Sequence, residues 1–401
     1  MTRMRPRLLA TLLGLSASWS AAGEPVVLTG ERIEGAALVA YDSSAARRSI
    51  RLLVDEIERE AEGLVRWGEP RPPRRRPALV FADGSWLLSD RTWSIGGLVR
   101  IDAEQVKLRR GAGWVAFDRD TVRWVVLDAD VAGRRIETLD LTPSDDDTAL
   151  LVGGDQLTGR VASLDRKTLK FESAGEPLET TPDTIAAIKL AGSGESFPEP
   201  SCLIGFRDGS LFRAERLTVS SEGFTATLQG AEFAGRASTL SLVQPLDSGV
   251  TYLSDLEPID YRHTPYFDLA WPFTRDRGLR GGLLAGGGVR RAKGLATHSA
   301  ARLIYRLDGD TQRFRATLAI ADPPAESATA GSVVFRVYLV KGGAFEPAYE
   351  SPIVRAGDPA ASIDLDCAGA AALALVVDYA DGGDAGDEAL WLDARLVRTE
   401  P

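Results

Sequence analysis

In the last third of the chain, apolar side chains fall on every second position in three runs. These are Phe314, Ala316, Leu318 and Ile320; Val333, Phe335, Val337 and Leu339; and Leu373, Leu375, Val377 and Tyr379. A period of two is the side-chain repeat of a strand with one buried face. Gly-, Pro- and Asp-rich stretches separate the runs, so the pattern predicts short strands stacked as a β-sandwich over 250–401.

Upstream, from about 26 to 246, the alternation is shorter and recurs as a weak repeat of four units, about 26–69, 78–128, 149–190 and 201–245. Each opens on a turn and a strand: Gly30-Glu31-Arg32-Ile33, Asp83-Gly84-Ser85-Trp86, Gly154-Asp155-Gln156-Leu157 and Asp208-Gly209-Ser210-Leu211. Each closes on an apolar strand, as at Leu64 to Trp67, Thr121 to Trp124, Ile185 to Leu190 and Leu240 to Val243. Asp-Gly pairs ahead of an apolar alternation are hairpin signals, because glycine supplies the positive φ that such turns need. The pattern predicts an all-β protein: tandem small SH3-like or Sm-like barrels, or alternatively a four-bladed propeller, followed by the sandwich. Two stretches read differently. Arg51 to Val65 is helical by charge pattern, and Arg134 to Asp147 reads as a linker with a short helix. A boundary is expected at Pro245-Leu246-Asp247-Ser248-Gly249.

The first 22 residues stand apart. Arg3, Arg5 and Arg7 precede a short apolar run, Leu8 to Leu15, and Ser20-Ala21-Ala22-Gly23 forms a small-residue zone. That is the layout of a secretory signal peptide, so export to the periplasm, the cell surface or the medium is expected. The apolar run is too short to span a bilayer and no second run of spanning length follows, so no transmembrane segment is expected. Removing residues 1–22 takes away three arginines and no acid, moving the net charge from -10 to -13. Such a balance argues against nucleic acid or an anionic membrane as the main partner. The one basic cluster, Arg71 with Arg74, Arg75 and Arg76, lies among Pro70, Pro72, Pro73 and Pro77 and reads as an extended, solvated linker. Two cysteines, Cys202 and Cys367, make no disulfide framework and read as buried thiols.

Four ordered motifs in the sandwich segment carry a family resemblance. They are Tyr252-Leu253-Ser254-Asp255-Leu256, Lys293-Gly294-Leu295-Ala296-Thr297-His298-Ser299, Gly331-Ser332-Val333-Val334-Phe335 and Trp391-Leu392-Asp393-Ala394-Arg395-Leu396. Together they resemble the NPCBM module, a carbohydrate-binding module first noted beside family 98 glycosyl hydrolases. The resemblance covers about residues 250–398 and implies a galactose-binding-like jelly-roll sandwich that recognises a glycan or cell-surface polysaccharide. Where that family ends on roughly Asp-His-Ala-Asp-Trp, this chain has Asp387-Glu388-Ala389-Leu390-Trp391. The units upstream resemble, more loosely, the β-rich region preceding this module in secreted proteins of some environmental bacteria, and no activity comes with that likeness.

Sugar recognition needs aromatic faces against pyranose C–H groups and a few polar groups for the hydroxyls. The aromatic candidates are Trp271, Tyr266, Tyr305, Tyr379 and Trp391, and the polar ones His298, Arg302, Asp387 and Glu388. Of these, His298, Trp391, Arg302, Asp387 and Glu388 form the candidate site, each open to a packing role instead. His263, beside Pro265, reads as a packed loop residue. Asp378, Asp381, Asp384 and Asp387 recur every third position among glycines, a pattern that fits either a structural calcium site or a solvated acidic hairpin.

Catalysis finds little footing. The β units and the sandwich use up the chain, leaving no room for a barrel of about 250 residues. Only two histidines exist, neither beside a G-x-S-x-G elbow, and Gly281 to Gly288 lacks the strand–turn–helix setting of a phosphate cradle. The reading is an exported, non-catalytic carbohydrate-binding protein. The alternative is a structural or interaction protein that keeps the sandwich without a sugar site.

Overall fold

In the computed structural model, residues 24–398 are described apart from 29–31, 45–49, 91–96, 112, 129–135, 193–197, 247–248, 266–268, 324–330 and 382. The expected signal peptide and Tyr266 lie outside the described residues. Every regular element among them is a β-strand or a single turn of 3-10 helix, as the alternating pattern requires. No helix among the described residues is long and apolar enough to cross a membrane.

Strands before residue 246 fall into four groups, running from Glu24–Leu28 to Leu64–Gly68, Ala78–Phe81 to Val122–Val126, Asp147–Leu151 to Ile185–Lys189 and Cys202–Phe206 to Leu240–Pro245. In each group the last strand returns antiparallel to the first, for instance Val27 opposite Arg66 and Ile204 opposite Val243. No ladder among the described residues joins a group's penultimate strand to its last, so the pairing alone does not close the barrels that the repeat suggests. Ladders instead cross between groups, with Trp124 opposite Lys189 and Val243 opposite Trp67. Separate propeller blades do not pair in this way. Leu79, Phe81, Phe117, Ile188 and Phe206 all lie in one buried cluster that runs through the four groups.

The helical reading of Arg51 to Val65 is corrected. Two strands, Ile50–Val54 and Ile57–Ala61, pair through a turn at Asp55 and Glu56, both of which have positive φ. Ile50 and Leu52 are fully buried on one face, and that apolar period of two outweighs the helix-like charges. Within Arg134 to Asp147, Ile136–Thr138 forms a single 3-10 turn. The proline-rich stretch is no free linker either. The Arg74 amide donates to the Asp208 carbonyl at 3.0 Å, and Gly209 (φ +90°) lies so close that a Cβ there would sit 2.3 Å from the Pro72 carbonyl oxygen.

After residue 249 two antiparallel sheets face one another. One has the order Thr274–Arg275, Gly294–Thr297, Ala389–Arg398, Thr311–Ile320, Ala361–Asp366, with Val250–Tyr252 also on Ala389–Arg398. The other runs Asp260–His263, Ala301–Arg306, Ala372–Tyr379, Ser332–Lys341, Ala344–Glu350. The predicted apolar faces meet between them. Phe314, Leu318, Val333, Phe335, Leu373 and Leu375 are buried, while Tyr379, last of its run, is 47% exposed. Cys202 and Cys367 are buried thiols that form no disulfide among the described residues.

A buried ionic cluster fastens the sandwich to the strands before it. Asp393 Oδ2 lies 3.2 Å from Arg66 Nε and 2.9 Å from Arg291 Nε, and Arg291 Nη1 reaches Glu69 at 2.5 Å. Burial alone raises the Asp393 carboxyl, but Arg66, Arg291 and Arg395 outweigh it and hold it below the usual carboxylate range. Tyr252 adds a neutral link, its hydroxyl accepting from the Gln244 amide at 2.8 Å.

Candidate functional site

One end of the sandwich gathers both histidines of the chain. His263 ends the strand Asp260–His263, and His298 directly follows Gly294–Thr297. The second position depends on Gly294 (φ +146°), where a Cβ would meet the Trp391 carbonyl oxygen at 2.5 Å. Lys293 beside it is fully buried, its ammonium held between Asp255 and, at 2.6 Å, Asp276. The first two family motifs therefore lock onto each other through Asp255 and Lys293, and that lock fixes the start of the strand carrying His298.

Over His298 lies Trp271. Their rings are 5.4 Å apart and within 5° of parallel, and His263 meets His298 edge-on at 5.7 Å. The Trp271 amide donates to His263 Nδ1 at 3.1 Å, which leaves His263 its proton on Nε2 when neutral. The Tyr261 hydroxyl donates to the Trp271 carbonyl and pins the same loop. Trp271 and His263 are half-buried, His298 is buried beneath them, and Leu269 nearby is 63% exposed. Burial pulls both imidazoles below the usual histidine range, against an opposing pull from Asp384. At neutral pH the surface therefore offers an indole face and uncharged imidazoles, which suits a polar ligand with an apolar side.

The other sequence candidates divide. Asp387 sits behind this surface, 1% exposed, with Oδ1 accepting the Ser332 amide at 2.8 Å. Burial pushes its carboxyl up to about 6. Glu388 accepts the Leu279 amide at 2.7 Å and burial raises it too, so it supports a loop. Arg302 pairs with Asp260 at 2.5 Å on the outer side of the sheet. Trp391, named as a site candidate with a packing role left open, takes the packing role. It is fully buried and meets Phe335 edge-on at 5.0 Å. Tyr305 is likewise wholly buried.

The acidic run does not assemble as a calcium cage. Asp378 pairs with Arg336, Asp381 with Arg355, and no group of three or more potential metal ligands occurs among the described residues. Sequence reasoning placed Trp271 among the aromatics but did not join it to His263 and His298. The available signal was that Leu269-Ala270-Trp271-Pro272 carries apolar bulk outside any alternating strand.

Comparison with known proteins bears on the sandwich. Residues 249–397 match the family model of the NPCBM/NEW2 domain. No curated protein matches the chain. Among solved structures, a CBM51 module from Clostridium perfringens GH95 in complex with methyl-galactose is 23% identical, with 37% of this chain and 99% of that one covered and a TM-score of 0.33. A structure of the CBM51-2 and INT domains of Clostridium perfringens ZmpB with GlcNAc is 22% identical over 50% of this chain and 38% of that chain, with a TM-score of 0.33. Tandem CBM51 modules of Sp3GH98 from Streptococcus pneumoniae SP3-BS71 are 16% identical, covering 80% of this chain and 88% of that one at a TM-score of 0.32. Residues 249–397 thus belong to the NPCBM/NEW2 domain family, as the four ordered motifs lead one to expect.

Proposed function

We propose that the chain is an exported, non-catalytic glycan-binding protein whose C-terminal module takes a neutral sugar at the Trp271–His298 surface. The observation that carries this reading is the half-buried indole stacked on a neutral imidazole, 5.4 Å between centroids, at the loop end of a rigid sandwich. The indole face receives the C–H side of a pyranose. The family match supports the same assignment. Asp387 is turned inward onto the Ser332 amide, which supports a non-catalytic role for the most perturbed carboxyl of this end.

The test is titration of the full chain with galactosides and N-acetylglucosamine, followed by tryptophan fluorescence. Trp271→Ala should weaken binding about five- to tenfold while leaving the melting temperature within about 2 °C, since stacking on one ring is worth roughly 1–1.5 kcal/mol. Binding unchanged by the substitution would refute the assignment. A second reading, a purely structural module, is favoured by the buried Arg66–Asp393–Arg291 cluster that docks the sandwich on the strands before it. It predicts no sugar binding in either protein.

A further inference from the structure

The basic stretch that the sequence presents as a linker has a different setting once folded. Pinned against Asp208 and Gly209, it brings Arg74 and Arg76 to the rim of a cavity of about 500 Å³, where Arg110, Arg207 and Arg236 join them from three other segments. Against these five cations the cavity wall sets two acids, Asp90 and Asp208. Asp208 is occupied by Arg110 at 3.0 Å, and Asp90 accepts the Gly111 amide at 2.7 Å. Arg74, Arg76 and Arg236 form no ion pair among the described residues, and Arg74 and Arg236 are exposed. Arg74, Arg76 and Arg236 thus keep positive charge at this rim in a chain whose net charge is -10.

The floor is apolar. Phe206, Phe224 and Phe233 pack with centroids 5.5–5.9 Å apart and the Arg110 guanidinium caps the Phe206 ring at 4.8 Å; Phe206 and Phe224 are buried, so the half-buried Phe233 is the ring that the cavity reaches. Its size falls in the range of about 300–1,000 Å³ usual for small-ligand sites. We propose that this cavity is a second ligand site, in the strand region rather than the module, for an anionic saccharide. A pyranose ring lies with its C–H face against Phe233, and its carboxylate or sulfate meets the Arg76 and Arg236 guanidinium forks. A polynucleotide is disfavoured, because the rest of the negatively charged surface repels a long polyanion.

Neither arginine belongs to the module, so the two assignments stand or fall apart. The test titrates the full chain with an oligogalacturonate, a heparin-derived hexasaccharide, neutral maltohexaose and inorganic polyphosphate, at 50 and 300 mM salt. The proposal expects one of the two anionic oligosaccharides to bind, the carboxylated one if the anion is a uronate and the sulfated one if it is a sulfate ester. Its affinity falls several-fold or more at the higher salt and at least tenfold in the Arg76→Ala/Arg236→Ala double variant, and is unchanged in Trp271→Ala. Maltohexaose does not compete. Both variants should melt with the parent, since the two arginines support no buried contact. The proposal is overturned if neither anionic oligosaccharide binds, if the double variant binds as the parent does, or if polyphosphate binds as tightly as the sugars, which would show that charge alone is read.

Discussion

The strand groups and the module solve the same folding problem and present opposite surfaces. Both build their interiors from period-two alternation, with Phe206 and Phe212 stacked at 5.5 Å in one and Phe335 against Trp391 at 5.0 Å in the other. Yet the strand groups ring their aromatic cavity with guanidinium groups, whereas the module presents an indole and two imidazoles from which burial removes charge. A charged rim makes recognition depend on salt. A desolvated, neutral surface makes it depend on shape and pH. Aromatic count alone therefore does not locate a binding face; the partner each ring meets does.

The strongest perturbation is to disturb what joins the two regions. Asp393→Ala strands Arg66 as a buried cation at 1% exposure and leaves the buried Arg291 with Glu69 alone. It should cost about 3–5 kcal/mol, seen as a drop in the denaturant midpoint. Replacing the cluster together, Arg66→Met with Arg291→Met and Asp393→Leu, should recover most of that loss.

Next comes the contrast between the two tryptophans of the module. Trp391→Ala should also cost about 3–5 kcal/mol by opening a cavity against Phe335. An unchanged melt would show that the indole does not fill the core.

A smaller effect concerns Asp387. Its folded pKa, about 6, lies above the ordinary 3.8, so its contribution to stability is whole below pH 3.8 and is lost as the pH rises through 6. Asp387→Asn should therefore stabilise the protein by about 1–3 kcal/mol at pH 8, with the gain vanishing near pH 4. A gain that does not change with pH would contradict burial of the carboxylate as its cause.

The histidines work the other way. Both folded pKa values lie below 6.5, so stability and sugar affinity should be level from pH 8 to 6.5 and decline as the pH falls further and the imidazoles charge. The decline is best read in Asp387→Asn, which removes the opposing titration; Asp384 and Arg280, which also face His298, set its depth. Affinity that rises on acidification would assign the binding role to charged imidazoles.

Much of the fold was legible in the sequence because strands advertise themselves. Phe314, Ala316, Leu318 and Ile320 alternate and are all buried, and the four motifs marked the module. Local charge misled where it competed with that alternation, as at Arg51 to Val65, and where tertiary contact captured an extended stretch, as at Arg74. The site was harder to see. His263 and Trp271 reach His298 only because Asp260–His263 and Gly294–Thr297 end at the same edge, a juxtaposition no spacing along the chain encodes. Trp391 carried the family motif and drew attention for that reason, although its place on an inward-facing strand position made it core.

The role of the Trp271–His298 surface is decided by a glycan-array screen of the full chain beside its Trp271→Ala variant, with melting curves for both. A discrete set of neutral glycans should bind the parent and be lost in the variant, while the two proteins melt together. The same glycans retained without the Trp271 indole, or no glycan bound by the parent, would refute sugar recognition at this surface.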